Sequence, residues 1–100
     1  MTNVKLFRDG FSVKGHCSAD MNDEEGRLVC AAVSSAVYLT VNTITDVVGD
    51  SAKITEKDGE MTIKISSVSD HTKTLLHGFK IHILQLEKQY PGCIKVNSEV

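Results

Sequence analysis

Apolar and polar residues alternate from Val4 to Phe7 and from Phe11 to Cys17, on either side of Asp9-Gly10. A period of two marks a strand, and Asp-Gly suits the two positive-φ positions of a tight turn, so this stretch predicts a β-hairpin. On its second strand Phe11, Val13 and Cys17 share one face, while Ser12, Lys14 and His16 share the other. From Leu28 the period lengthens. Val29, Val33, Ala36, Val37, Val41, Ile44 and Val48 recur every three or four residues, the stripe of a helix that Gly49 would stop. Its β-branched residues each lower helix propensity by a few tenths of a kcal/mol, so packing has to hold it. A second hairpin follows, with Ala52 and Ile54 on one strand, Asp58-Gly59 at the turn, and Met61, Ile63 and Ile65 on the other. Ser69 or Asp70 can cap a second helix, whose stripe of Leu75, Leu76, Phe79, Ile83, Leu86 and Tyr90 runs to Pro91-Gly92, and Cys93 to Val96 make a last strand. The order β-β-α-β-β-α-β predicts an α+β fold, a mostly antiparallel sheet with two helices packed against it.

At 100 residues the chain suffices for one modest core, so residues 1–100 are expected to form a single domain. The net charge of −2 and the lack of any lysine or arginine run argue against a partner held by charge; neither nucleic acid nor membrane is expected. No uninterrupted apolar run approaches the roughly 18 residues of a membrane span, and the first ten residues lack the apolar core of a signal peptide. A soluble, cytoplasmic protein is expected. Cys17, Cys30 and Cys93 are an odd number at unrelated spacings without a CxxC pair, which disfavours disulfides and structural zinc and leaves the thiols reduced. Neither cofactor nor metal is implied.

The stretch that carries chemistry runs from Gly15 to Ser35. His16 stands at a strand end, a polar segment with Asp23, Glu24 and Glu25 follows, and Cys30 lies in the opening turns of the long helix. An ordinary thiol is only a few per cent thiolate at neutral pH; a helix N-terminus and a neighbouring imidazole both raise that fraction, and Cys30 has access to both. The alternative is bland: a cysteine among Val29, Ala31, Ala32 and Val33 is a small buried hydrophobe, and a histidine at a strand end is a surface residue.

Gly15-His16, an acidic loop, and Leu28-Val29-Cys30-Ala31-Ala32-Val33-Ser34 opening a long helix resemble the bacterial ribosomal-processing cysteine protease family (Prp). The resemblance covers nearly the whole chain in length and element order, but its specific part is these two short motifs. It implies a homodimeric endopeptidase that removes an N-terminal extension from the twenty-seventh large-subunit ribosomal protein, cutting after an aromatic residue. By position, Cys30 matches the nucleophile, His16 the base, and Ser34 a serine one helical turn after the nucleophile. The partner implied is the N-terminal peptide of that ribosomal protein.

Two departures stand out. Arg27 occupies the position, three residues before the nucleophile, where the family usually has an aspartate; Asp20, Asp23 and Glu24 are candidate replacements, and Arg27 itself could favour the thiolate. The segment between His16 and Cys30 is also longer than the family pattern, and Cys17 follows the histidine, as a core thiol or an oxidation partner. Ser34 shares the surface of Cys30 one turn on, or bonds back to its own helix. His71, His77 and His82 have spacings that keep them off one helical face, so they read as surface residues. The competing functional class is a non-catalytic module of the same fold that binds a ribosomal protein or another peptide.

Overall fold

The computed structural model describes residues 1–15 and 24–99. Strands β1 (Thr2–Phe7) and β2 (Gly10–Lys14) form the first hairpin, and α1 (Glu24–Asn42) continues without a break into a π-helical segment, Thr43–Val48. The second hairpin, β3 (Ala52–Lys57) and β4 (Glu60–Ile65), is followed by α2 (Asp70–Gln89) and β5 (Ile94–Ser98). The sheet order is β3-β4-β2-β1-β5, antiparallel throughout except for the parallel pair β1 and β5. The α+β class and the element order expected from the sequence are the ones found.

Both helices cover one sheet face. Val4, Leu6, Phe11, Val13, Ile63, Ile65 and Ile94 of the strands meet Val29, Val33, Val37, Val41 and Ile44 of the first helix and Phe79, Ile83 and Leu86 of α2. Phe11 and Phe79 stack with ring centroids 4.1 Å apart, tying the central strand to α2. By length and composition the continuous helix Glu24–Val48 could cross a membrane. Here its valine stripe is sealed against the sheet, as in a core helix. The radius of gyration, 13.2 Å, is that of a compact domain of this length.

Several details depart from the sequence reading, beginning with α1, which starts at Glu24 so that Glu24 and Glu25 of the acidic segment are helical. The first turn is Arg8-Asp9, with Phe7 opposite Gly10, so Gly10 belongs to the strand. There it has φ 158°, and a Cβ on it would overlap the Ile63 carbonyl of β4; the glycine serves the neighbouring strand's approach, not the turn. Asp58 and Gly59, at φ 53° and 76°, do form the expected positive-φ turn. The long helix widens at its end because the Thr43 and Thr45 hydroxyls donate back to the Leu39 and Val41 carbonyls, at 2.6 and 3.1 Å. Gly49, at φ 90°, then ends it as expected. The last strand runs Ile94–Ser98 instead of Cys93 to Val96. Ile54 is 54% exposed, because β3 is the sheet edge and no helix reaches it.

Ser69, not Asp70, caps α2: its hydroxyl accepts from the Thr72 N–H at 3.3 Å and donates to Asp50 at 2.7 Å. The Ser69 N–H also donates to Asp50, at 3.1 Å. The Asp50 carboxyl is held below the ordinary carboxylate range by the neighbouring Thr72 hydroxyl first and by these two Ser69 groups next. The Thr72 hydroxyl itself is buried outside hydrogen-bonding geometry, so the formed bonds are those to Ser69.

Candidate active site

One end of the sheet gathers the start of β1, the end of β2, the start of β5 and the N-terminal turns of α1. Three contacts define it. The Thr2 N–H donates to the Cys93 carbonyl at 2.9 Å. The Cys93 thiol donates weakly to the Glu25 carboxylate at 3.8 Å, so the first turn of α1 sits over the entry to β5. At the end of β2, Gly15 has φ 73°, and a Cβ there would stand 2.7 Å from the Met1 carbonyl. Only glycine fits this close left-handed exit from the central strand. It is the residue that hands the chain on to position 16.

Cys30 is the seventh residue of α1, in its second turn. It is 6% exposed, beside the core residues Val29 and Val33. The field of a helix terminus falls off within the first turn, so it reaches Cys30 only weakly. A nucleophilic role for this thiol would have to rest mainly on a side chain outside the helix. A sulfur this buried also needs either a short approach path for substrate or a small outward movement.

Ser34 lies one turn after Cys30, half-buried, and lines a cleft of about 30 Å³ with Val13, Val33, Val37, Tyr38 and Met61. The cleft lies between the helix and strands β2 and β4, and Cys30 is not among its lining residues. Val13, Tyr38 and Met61 were not singled out in the sequence as site residues. The signal available was helical spacing, since Tyr38 follows Ser34 by four residues and is 60% exposed, unusual for an aromatic on the core helix.

Arg27 is exposed one turn before Cys30. Glu24 is also exposed, in the first described turn of α1; six helical residues place it about 120° around the helix from Cys30, a poor position for orienting a base there. His16, Cys17, Asp20 and Asp23 lie outside the described residues. His71, His77 and His82 are exposed on α2, on the surface as their spacing predicts. Among the described residues no group of three His, Cys, Asp or Glu side chains is placed to hold a metal ion.

The cysteine protease Prp family profile matches residues 1–95. No curated protein matches the sequence. Among solved structures, SMU.848 from Streptococcus mutans superposes with a TM-score of 0.80 at 23% identity, covering 98% of this chain and 93% of that one. The essential ribosomal processing protease Prp from S. aureus in complex with a substrate peptide gives 0.80 at 19% identity, covering 98% and 97%. The same S. aureus protein with a covalently linked product peptide gives 0.78 at 20%, again covering 98% and 97%.

Proposed function

Because this chain belongs to the cysteine protease Prp family, we propose that it is the endopeptidase that removes the N-terminal extension of the twenty-seventh large-subunit ribosomal protein, with Cys30 as nucleophile and His16 as base. The observation that carries the assignment is the convergence of two elements at one end of the sheet. Gly15 leads the chain out of the central strand directly to position 16, and α1, tied by Glu25 to Cys93 at the same end of the sheet, carries Cys30 in its second turn.

The chemistry follows from these groups. His16 accepts the Cys30 proton, and the thiolate attacks the scissile carbonyl to form a tetrahedral adduct. As that adduct collapses the C–N bond breaks, the imidazolium protonates the leaving amine, and the acyl group remains on sulfur as a thioester. Water, activated by the now neutral imidazole, adds to the thioester and releases the acid and the thiol. A covalently linked product peptide, as in the S. aureus protein, is the kind of species this route passes through. The weak reach of the helix terminus puts the burden of activation on His16, with Arg27 adding positive charge one turn away. Asp20 or Asp23 orients the imidazole in place of the aspartate that Arg27 has displaced. Ser34 and the Tyr38 and Met61 side chains contact the substrate on the cleft side of Cys30. The protein works as a cytoplasmic homodimer.

The test is cleavage of the ribosomal protein bearing its extension. Cys30→Ala should abolish cleavage, and His16→Ala should lower kcat/KM by about a thousandfold, in the range of a lost general base. Undiminished turnover by either variant would overturn the assignment. Alkylation of Cys30 by iodoacetamide against pH is the second readout: rapid reaction well below pH 8 should disappear in His16→Ala.

A further inference from the structure

Charge is sorted across this sheet in a way that no run of residues in the sequence reveals. The helix-free face carries Lys5, Lys14, Lys53, Lys57, Lys64 and Lys95, all exposed, and from the strands only Glu60 opposes them. The registers fix the arrangement. One cross-strand row reads Lys57, Glu60, Lys14, Asn3, Lys95; the next reads Thr55, Thr62, Ser12, Lys5, Asn97; the third begins with Lys53 and Lys64 and ends at Phe7. The surface continues around the tip of the first hairpin, where Arg8, Lys73 and Lys80 line a cleft of about 350 Å³ with Phe7 and Phe11 in its wall. Face and tip together hold nine of the eleven lysines and arginines of a chain whose net charge is −2. The rest of the molecule is therefore strongly acidic.

Stability does not call for this. Lys53 and Lys64 stand directly opposite one another, a like-charge pair that costs the sheet. Lys64 is steadied only by an exposed ion pair to Asp9 at 3.3 Å and by the Phe7 ring, 4.2 Å below its ammonium. A protein partner is a poor match, because protein interfaces are depleted of lysine and have an apolar centre, and here the centre is polar, with Thr55 and Thr62 beside a covered Ser12 that donates to Glu60. Phosphates spaced along a backbone are a good match. Outward side chains repeat about every 6.7 Å along a strand and about 4.8 Å between strands, so the ammonium groups can meet several phosphates at once.

We propose that the lysine face of the sheet and the basic tip of the first hairpin form an RNA-docking surface. The choice of RNA over DNA rests on the proposed function, whose substrate is a ribosomal protein, a component of an RNA-containing particle. Held there by backbone contacts alone, the RNA leaves the Cys30 end of α1 free to take the peptide.

The experiment is fluorescence anisotropy of a labelled RNA stem-loop titrated with the full chain. Binding should weaken with salt at a log-log slope of about −3 to −4, as for roughly four neutralised phosphates, losing about a hundredfold between about 50 and 200 mM salt. The K53E/K57E/K95E variant should bind at least about tenfold more weakly, while K53R/K57R/K95R, which keeps the charge, binds as the parent does. Equal thermal melting of the three proteins excludes misfolding as the cause. Absence of salt-dependent binding, an unweakened glutamate variant, or equal or tighter binding to the matching DNA stem-loop or to phosphatidylglycerol vesicles would each overturn the proposal. Peptide cleavage measured in parallel separates the two readings. RNA binding with cleavage that survives Cys30→Ala sinks only the protease assignment, whereas no RNA binding with cleavage that depends on Cys30 sinks only this one.

Discussion

The two hairpins share an Asp-Gly signature and have opposite roles. The first lies in the middle of the sheet, with β2 flanked by β1 and β4, and its residues Val4 and Phe11 are fully buried. The second ends the sheet, and β3 is exposed along most of its length. In the second, Asp58-Gly59 is a turn and nothing else; in the first, Gly10 is a spacer that lets a neighbouring backbone come close. The same dipeptide is thus read by its surroundings. The hairpin that leads to His16 is built for positional accuracy, and the outer one carries surface.

The largest break in this contrast should come from Gly10→Ala. Its Cβ would overlap the Ile63 carbonyl, against β4 backbone with no flexible side chain to yield, so a loss of about 3 kcal/mol or more is expected. In a chain of this size that is a fall in Tm of about 15 °C, measurable by thermal denaturation. Gly15→Ala should come next and differ in kind. The strain lies at the exit to His16, so kcat/KM should fall by about a hundredfold, as for a displacement of catalytic groups by about 1 Å, with a smaller effect on melting. Gly59→Ala has open space around it and only the positive φ against it, for a cost of about 1 kcal/mol and unchanged kinetics. Equal melting losses for Gly10→Ala and Gly59→Ala would erase the contrast.

Acid provides a gentler probe. Asp50 sits at the root of the outer hairpin, tied to the cap of α2 through Ser69. Its hydrogen bonds hold the carboxyl below its ordinary value of about 3.8, so the stability it contributes is present above that value and is lost as pH falls through the lower native one. Asp50→Asn should therefore flatten the acid limb of the stability curve below pH 3.8 and shift Tm only slightly at neutral pH. Amide exchange should rise first around Ser51 and Ser69, and remain slow in β1 and β2.

Much of this fold was legible because period and punctuation agreed. The stripes of both helices, the Ser69 cap, the Gly49 stop and the Asp58-Gly59 turn each rest on local chemistry. What escaped was set at a distance. Gly10 answers to Ile63, which is far along the chain; β5 pairs parallel to β1, a choice no local pattern encodes; and the π-helical turn arises from threonine hydroxyls competing for carbonyls inside a helix of the right period. The site shows the same division. Ser34 and Tyr38 share a helical spacing visible in the sequence, whereas Val13 and Met61 meet them in one cleft only through folding. Charge gives the sharpest case, since six lysines in no run at all become one face once alternate positions on five strands are laid side by side.

The parallel pairing of Thr2–Leu6 with Ile94–Ser98 has a consequence for biosynthesis. As the chain leaves the ribosome, β1 and β2 emerge first, yet the outer edge of β1 stays an open row of N–H and C=O groups until residues 94–98 appear. The carbonyl of Cys93, which fixes the start of β1 beside Gly15, arrives equally late. The end of the sheet from which Gly15 leads the chain onward is therefore finished only by the final strand, and under the proposed function a partly made chain would lack the frame of its proteolytic centre.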